Sequence, residues 1–398
     1  MLKLLIVAHD IPFPPAHGGR VEMWTRLLSL REHNVFMHVI CWSDSRHTTN
    51  SDIDVVASKA GSCSHYPINF VKRLESLVRF ILPSGVATHE IKEESLSYEI
   101  EKVRDLKLTA IVLDGIYGAQ AALTISERLG LPLIYRSHNI EWLHMKDQIH
   151  SSATFQSKFR FWLDSKRMKV FEKIVRKRAH LIFDITEEDR DFWNEKDLRA
   201  KMFVTRPVLG IDTPKVSCED WTPSYDVLFL GNLHSPNNVG AVKWFFEFVR
   251  IHLSKGTTIA IAGSNPTFEV KKLARKYNFI LIENPVNLRD VYRMARVLIN
   301  PSQRVNGINM KSVEMLATGL PFVCTTAALR GIPTKIWQFA KIADSAKDFA
   351  MSINSILLKN IPPSDSQRAF VLSFFSDIEV KRFINEISKF IDENKRNY

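Results

Sequence analysis

The chain has 398 residues, a length that predicts two domains rather than a single hydrophobic core. Its hydrophobic content of 45% and charged content of 24% are those of a globular protein and exclude an intrinsically disordered one. The net charge of +11 favours partners that carry negative charge, such as phosphate groups, nucleic acid or anionic lipid.

The cysteines and the N-terminal segment indicate the compartment. The four cysteines are far apart and have neither CxxC nor zinc-finger spacing, which favours a reducing cytoplasm. The first apolar run is short and is followed by Asp10 and a proline-rich turn, so it predicts a buried strand rather than a signal peptide. No apolar run approaches about 18 residues, so no transmembrane helix is predicted and any membrane contact would be peripheral.

Short apolar runs alternate with helical patterns along the first half of the chain. The runs read "LKLLIVA", "VFMHVICW", "AIVLDG", "LPLIYRSHN" and "HLIFDIT". Continuous apolar strands that alternate with helices indicate an α/β fold whose parallel sheet is covered on both faces. A long helix rich in Lys and Arg is predicted over residues 155–180. Its apolar residues fall roughly on one face at a spacing typical of core contacts: Phe159, Trp162, Val170 and Ile174.

A segment rich in proline and glycine then interrupts the pattern, and a second α/β series follows it. We therefore predict a first domain over residues 1–205, a linker over 206–222 and a second domain over 223–370. A terminal helix is predicted over 371–398. The chain is therefore predicted to form two similar α/β halves with open parallel sheets.

In an open parallel sheet, ligands bind beyond the carboxyl ends of the strands, so the loops after the strands hold the candidate residues. The first of these loops ends in Gly18-Gly19 directly before a helix. Glycine permits a close approach to a phosphate, and a helix N-terminus supplies free N–H groups. The same dipeptide is also common in ordinary strand-to-helix turns, and both interpretations stay open.

The stretch "QRVNGINMKSVEMLATGLPFVCT" places several polar groups around the start of another helix. Arg304 is predicted in the loop, Gly307 at its bend and Lys311 in the first helical turn. Two cations beside a helix N-terminus suit a diphosphate, and Glu314 on the same side could accept hydrogen bonds from sugar hydroxyls. The alternative is a solvated surface pair of Lys311 and Glu314.

Four segments together carry a resemblance to a known family. They read "LIVAHDIPFPPAHGGR", "YRSHNIE", "VLFLGNLHSPNNVGAVKWF" and "INPSQRVNGINMKSVEMLATGLPFVCT". The chain resembles glycosyltransferase family 4, above all its bacterial members that build exopolysaccharide, capsule or lipopolysaccharide. This resemblance implies the GT-B fold, in which two Rossmann-like doubly wound domains face each other across a cleft.

The resemblance also implies the reaction, which is sugar transfer from a nucleotide-activated donor to an acceptor hydroxyl with retention of the anomeric configuration. Glu314 matches the glutamate that contacts the ribose of the donor. Arg304 and Lys311 match basic positions that hold the diphosphate. Gly18 and Gly19 match the phosphate and acceptor loop.

His138 matches a first-domain histidine that lies near the reacting sugar, so His138 and Glu314 are the candidate catalytic residues. Taken alone, His138 would more often be a buried structural histidine. The leaving phosphate itself would take the acceptor proton, so no carboxylate nucleophile is expected. The chain departs from the family pattern at Asn306, where many relatives have a glutamate.

A second departure lies after the first strand of the second domain, where Asn232 and Asn238 replace a basic pair. Together with Gly231, Asn306 and Gly307, they complete the expected donor-binding set. No metal or other cofactor is expected, because His9 and its neighbouring His and Asp have no metal-site spacing.

The expected acceptor is a glycan or a lipid-linked sugar. The basic helices predicted at residues 70–82 and 155–178 could contact an anionic membrane, or could be ordinary amphipathic helices with solvated basic faces. Two other functions stay open: a DNA glucosyltransferase and a non-catalytic binder of sugar nucleotides. Nucleic acid is not the expected partner, because the aromatic residues have core-facing spacing rather than that of a stacking platform.

Overall fold

The computed structural model describes residues 2–15, 18–44, 48–69, 82–151, 154–193, 200–210, 213–303 and 307–395. The chain divides into two compact units. One comprises Met1–Gly210 together with Ser376–Tyr398, and the other comprises Ile211–Phe375. Each unit contains a parallel sheet with helices around it, so the predicted fold class is confirmed.

The first unit contains a seven-stranded sheet within the described residues. Its strands are β1 (Lys3–Ala8), β2 (Phe36–Ser43), β3 (Gly61–Pro67), β4 (Ala110–Asp114), β5 (Leu133–Ser137), β6 (Leu181–Asp184) and β7 (Lys201–Val204). They are arranged in the order β3-β2-β1-β4-β5-β6-β7, and every pairing is parallel.

The described helices of this unit cover the sheet. They are α1 (Gly18–Glu32), α2 (Asn50–Ala60), α3 (Ser84–Ala87), α4 (Glu93–Asp105), α5 (Ala119–Leu129), α6 (Glu141–Ser151), α7 (Phe155–Arg178), α8 (Glu187–Phe192) and, at the end of the chain, α15 (Ile378–Lys395). The glycines of the first loop lie inside α1, because Gly18 is the first residue of that helix.

Successive residues of β1 point into two different apolar cores. Leu5 and Val7 belong to one core, whereas Leu4 and Ile6 belong to the core on the other face of the sheet. Both faces are buried, which is why the strand has no polar alternation. Helix α15 contributes Val380, Phe383 and Ile387 to the second core. This burial of apolar side chains holds the end of the chain in the first unit.

The unit boundaries differ slightly from those predicted for the domains. Residue 206 was assigned to the linker, but its backbone N–H donates to Glu379 at 3.0 Å, and its carbonyl accepts from Arg26 at 3.0 Å. Those bonds hold it in the first unit. Residues 371–374 were assigned to the terminal helix, yet they end a helix whose Arg368 donates to the Ala317 carbonyl in the second unit.

The second unit contains a six-stranded parallel sheet within the described residues. Its strands are β8 (Tyr225–Leu230), β9 (Ile259–Gly263), β10 (Ile280–Glu283), β11 (Ala295–Asn300), β12 (Phe322–Cys324) and β13 (Ala340–Ile342). They are arranged in the order β10-β9-β8-β11-β12-β13.

The helices of the second unit alternate with these strands. They are α9 (Pro236–Trp244), which continues as a π-helix (Phe245–Val249) and a 3-10 turn (Arg250–His252), α10 (Phe268–Tyr277), α11 (Leu288–Arg293), α12 (Met310–Ala317), α13 (Ala346–Lys359) and α14 (Asp365–Phe374). Two further 3-10 segments lie at Thr326–Leu329 and Thr334–Phe339.

Each sheet has one point where the direction of winding reverses. In the first unit this point lies between β1 and β4, and in the second it lies between β8 and β11. Loops that leave the carboxyl ends of such strand pairs diverge to opposite faces, which opens a crevice for a ligand. Most candidate residues follow these strands, whereas His138 follows β5, the neighbour of β4.

Candidate active site

The first unit has a polar cluster at the carboxyl ends of β4 and β5. Asp114 ends β4 and is paired in register with Arg136 of β5. His138 follows β5 directly. Its Nε2 lies 2.6 Å from Asp114 Oδ1, and Arg136 Nη1 donates to the same oxygen at 2.9 Å. Asp114 therefore orients both side chains.

The ionisation of Asp114 follows from these contacts. Burial opposes the charged carboxylate, but the charges of His138 and Arg136 outweigh burial and hold its pKa well below its usual range. The same ring nitrogen, His138 Nε2, also lies 2.7 Å from Arg136 Nη1, so both partners contact one edge of the imidazole. The side chain of His138 is 19% exposed, so a ligand can reach it.

A buried ionic network extends from this cluster into α1. Arg136 Nη2 donates to Glu22 Oε1 at 2.7 Å, and Arg26 Nε donates to the same oxygen at 2.9 Å. Burial raises the pKa of Glu22, but Arg136 and Arg26 lower it further than burial raises it, so the net shift is downward. The network fixes the start of α1, where Gly18 and Gly19 lie, against the ends of β4 and β5.

His9, which follows β1, is the second imidazole of the cluster. Its Nδ1 lies 3.2 Å from the backbone carbonyl of Asp114, and its ring meets that of His138 edge-on at 5.2 Å. Burial and the nearby His138 lower its pKa, which favours the neutral ring. Gly115 has a φ of +81°, and a Cβ there would lie 2.7 Å from His9 Nδ1. Glycine therefore permits the close approach of His9.

Sequence patterns pointed to His138 as a candidate but not to the residues that contact it. His9 was considered only as a metal ligand, and Asp114, Arg136 and Glu22 were not singled out. The sequence does contain a pattern that could have pointed to these residues. Asp114 and Arg136 are charged residues at the ends of otherwise apolar strands. Charges at such positions need a partner, since an unpaired buried charge is strongly unfavourable.

The second unit has its own polar cluster after β8. Lys311, in the first turn of α12, donates from Nζ to Asn238 Oδ1 at 2.9 Å. Asn238 in turn donates from Nδ2 to the backbone carbonyl of Asn232 at 2.9 Å. The Lys311 ammonium also lies 4.3 Å from the centroid of the Phe229 ring. Residues 73 positions apart in sequence are thus joined at the reversal point of the sheet.

Lys311 and Glu314 are partly buried and lie near one another on α12. Burial lowers the pKa of Lys311 to about 7, and the attraction of Glu314 opposes this shift only in part. Burial raises the pKa of Glu314 to about 7, against the opposing effect of Lys311. Both groups are therefore near their midpoints at neutral pH, where a bound anion changes their protonation easily.

Glycine is needed where the loop after β8 meets the end of β9. A Cβ at Gly263 would lie 1.7 Å from the Gly231 carbonyl oxygen, and a Cβ at Gly231 would lie 2.9 Å from Asn238 Nδ2. Gly307, just before α12, has a φ of +62°, in the left-handed region that favours glycine. Arg304 and Asn306, both predicted donor-binding residues, lie outside the described residues.

Among the described residues, no three His, Cys, Asp or Glu side chains come together in an arrangement that would hold a metal ion. In that same part of the chain, no helix is both long and apolar enough to cross a membrane.

Comparison with known proteins shows to which class of enzyme the protein belongs. Residues 224–359, which include the Lys311 cluster, match the family model described as "Glycosyl transferases group 1". The protein is a glycosyltransferase. The matched range covers most of the second unit, so the cluster after β8 belongs to a glycosyltransferase domain.

Relatives of this glycosyltransferase extend over almost its full length. An uncharacterized 44.6 kDa protein in the cps region of Klebsiella pneumoniae is 22% identical over 380 residues, which is 89% of this chain and 90% of that protein. Sucrose-phosphate synthase from Thermosynechococcus elongatus has a TM-score of 0.67 at 11% identity and covers 99% of this chain and 100% of its own.

A second similar structure was solved with ligands. HepE from Anabaena, in complex with UDP and glucose, has a TM-score of 0.66 at 12% identity and covers 98% of this chain and 100% of its own. At such low identity these likenesses establish the fold, which is that of a GT-B glycosyltransferase with two parallel-sheet α/β domains.

Proposed function

We propose that this glycosyltransferase transfers a sugar from a nucleotide-activated donor to a hydroxyl of a glycan or lipid-linked acceptor, with retention of configuration, as in family 4. We assign the reaction to cell-surface polysaccharide biosynthesis in the cytoplasm. The Klebsiella relative encoded in a cps region supports the pathway, and four free cysteines support the compartment.

One observation carries the proposal. Lys311 lies at the start of α12, next to the reversal point of a parallel sheet, and Asn238 holds its ammonium group. The ammonium group lies beside the N-terminus of α12, whose backbone N–H groups also favour an anion. Together these groups suit a diphosphate. HepE, which has the same fold, was solved with UDP, and this supports a nucleoside diphosphate as the leaving group.

The proposed roles follow from the chemistry of each group. Lys311, together with Arg304, offsets the negative charge that grows on the leaving diphosphate, without a metal ion. Glu314 accepts hydrogen bonds from the ribose hydroxyls. Asn232, Asn238, Asn306, Gly231 and Gly307 shape the donor loop, and Gly18 and Gly19 bring backbone N–H groups to the phosphates or the acceptor.

We assign His138 to the transferred sugar. Asp114 and Arg136 contact its Nε2, and the side chain keeps part of its surface exposed. In this role His138 positions or polarises a sugar hydroxyl, while the leaving phosphate accepts the proton of the acceptor. With these two roles filled by His138 and the leaving phosphate, the reaction requires no carboxylate nucleophile.

The test is a thermal-shift screen with UDP-, GDP-, ADP- and CDP-sugars. A ligand that binds the folded protein raises the melting temperature by mass action, so one nucleotide series is expected to produce a shift. Turnover of that donor, followed by release of the free nucleotide, then establishes transfer. Melting temperatures unchanged by all four series would contradict the proposal.

A further inference from the structure

The aromatic ring of Phe229 lies against the ammonium group of Lys311. Phe229 belongs to β8 and is fully buried in the core of the second unit. The Lys311 nitrogen lies over its ring, 4.3 Å from the centroid. A cation within about 6 Å of a ring centroid is attracted by the negative face of the ring, and the attraction is stronger where water is excluded. The contact therefore has the geometry of a cation–π interaction.

The other groups around Lys311 do little to hold its charge. Asn238 accepts from Nζ at 2.9 Å and is neutral. Glu314, on the same helix, is the charged group that acts on the ammonium among the described residues, and its attraction offsets burial only in part. Tyr292 of α11 lies near Glu314, and burial raises its pKa well above its usual range, so it stays uncharged.

Lys311 is consequently close to losing its proton at neutral pH. Because burial lowers its pKa to about 7, about half of the free protein carries a neutral amine there. A neutral amine cannot offset the charge of a diphosphate. Any group that favours the ammonium therefore increases the fraction of protein that is ready to bind. The ring is such a group, since its negative face attracts the charged form and not the neutral one.

The topology of the second sheet brings the ring and the ammonium together. Strands β8 and β11 are neighbours at the reversal point, and α12 follows β11. In the sequence, Phe229 stands in the apolar run "VLFLG" and has the appearance of an ordinary strand residue. Only the pairing of β8 with β11 places its ring beside the start of α12.

We propose that Phe229 is a positioning residue whose ring face holds the Lys311 ammonium and keeps it charged for the diphosphate of the donor. The inference rests on the proposed function, because it takes Lys311 as a group that binds the diphosphate. An ammonium has three N–H donors. The Asn238 oxygen takes one and the ring faces another, which leaves the third for a phosphate oxygen.

Stepwise fluorination of the ring tests the proposal, because fluorine withdraws charge from the ring face and changes its shape little. The full-length protein carries fluoro-, difluoro- or trifluorophenylalanine in place of Phe229. The probes are inorganic pyrophosphate, UDP, GDP, ADP and CDP. At pH 8, calorimetry is expected to show a stepwise loss of affinity that reaches roughly tenfold in Phe229→trifluorophenylalanine. At pH 5.5 the loss should be about 1.5-fold or less, because Lys311 is then mostly protonated in every variant.

Each variant is compared with the wild type at the same pH. The ionisation of Glu314 and of the terminal phosphate then affects both proteins alike and cancels in the ratio of affinities. The matched control is Phe349→trifluorophenylalanine, which fluorinates another fully buried ring of the same core. This control is expected to bind like the wild type at both pH values.

A second measurement distinguishes attraction of the cation from packing of the core. Lys311→Met keeps an unbranched side chain and removes the charge. At pH 5.5, fluorination of Phe229 is expected to lower the melting temperature of the wild type by about 3 °C or more, and that of Lys311→Met much less. Equal decreases in the two backgrounds would overturn the proposal, because the ring would then contribute packing alone.

The results distinguish failure of this inference from failure of the proposed function. If Lys311→Ala loses affinity but fluorination has no effect, or has an equal effect at pH 5.5 and pH 8, the inference alone is wrong. If no probe binds the wild type, or if Lys311→Ala binds the probes unchanged, the proposed function fails and the inference fails with it. Circular dichroism verifies folding, and the monofluoro and difluoro variants provide the same comparison if the trifluoro variant does not fold.

Discussion

Lys311 and Asn238 are joined by a hydrogen bond of 2.9 Å from the ammonium to the side-chain carbonyl oxygen of the amide. The cation is thus held by a neutral group rather than by a carboxylate. A carboxylate in this place would neutralise the lysine and repel a diphosphate. The amide fixes the position of the ammonium and leaves its charge available for an anionic ligand.

Lys311→Ala is expected to weaken binding of the preferred nucleoside diphosphate by roughly 10- to 100-fold, the range for loss of a charge-assisted hydrogen bond. Isothermal titration calorimetry measures the change. The control is Lys243→Ala, which removes a lysine of α9 that is paired with Glu269. Equal losses in the two variants would contradict the assignment of Lys311.

Nucleotide binding is expected to change the protonation of the α12 pair. The pKa of Lys311 is about 7 in the free protein, and a bound diphosphate raises it, so Lys311 takes up a proton on binding above pH 7. The pKa of Glu314 is also about 7, and hydrogen bonds from ribose favour its carboxylate, so it releases a proton.

The variant Glu314→Gln separates these two contributions. It keeps proton uptake by Lys311 and removes the release by Glu314, so net uptake at pH 8 should exceed that of the wild type. Calorimetry in buffers of different ionisation enthalpy measures the protons exchanged. The Gln variant should also turn over more slowly while its melting temperature stays close to that of the wild type.

Asp114→Asn is expected to destabilise the first unit by about 3 kcal/mol at pH 7, because the substitution leaves Arg136 and His138 without their shared carboxylate. The pKa of Asp114 is lowered in the folded protein. Its stabilising effect is therefore present above the unfolded-state pKa, near 4, and is lost as the pH falls below it. Melting curves should show the two proteins converging in acid, and a constant difference across pH would contradict this account.

His138→Asn is expected to lower kcat about 100-fold or more while donor affinity changes little, because its proposed role concerns the reacting sugar rather than the diphosphate. Steady-state kinetics and donor titration distinguish the two effects. His144→Asn, in α6, serves as the control. Loss of donor binding alone, with kcat preserved, would remove His138 from the catalytic role.

Gly263→Ala is expected to destabilise the second unit by about 3 kcal/mol or more, since its Cβ would lie 1.7 Å from the Gly231 carbonyl oxygen. The affinity for nucleotide should decrease as well, because the displaced loop carries Asn232. Gly240→Ala in α9 is the matched control, as no atom lies within 4 Å of its added Cβ. That substitution should stabilise the protein by about 0.5–1 kcal/mol, and thermal denaturation measures both changes.

Local sequence patterns were sufficient for much of the fold. Runs such as "LKLLIVA" and "AIVLDG" predicted buried parallel strands, and β1 and β4 lie in the centre of the first sheet. The same patterns located the loops after the strands, where the candidate residues lie. These predictions succeed because strands and helices place side chains at different repeats. The spacing of hydrophobic residues over a short segment therefore indicates which of the two forms.

The partners of the polar residues could not be predicted in this way. Asp114 and His138 are 24 positions apart, and Lys311 and Asn238 are 73 apart. Their pairing depends on which strands are neighbours and in what register, and no local pattern encodes either.

The sequence by itself determined the elements, the fold class and the residue types available at the ends of the strands. Only the tertiary structure decided which side of α7 faces solvent. The spacing of its apolar residues favoured a buried aromatic face. In the structure, however, the buried face holds Asp164, which accepts from Ser84, and Arg176, which donates to Asp184. Satisfying a buried charge outweighs burying a ring, because an unpaired ion away from water costs more free energy than an exposed aromatic side chain.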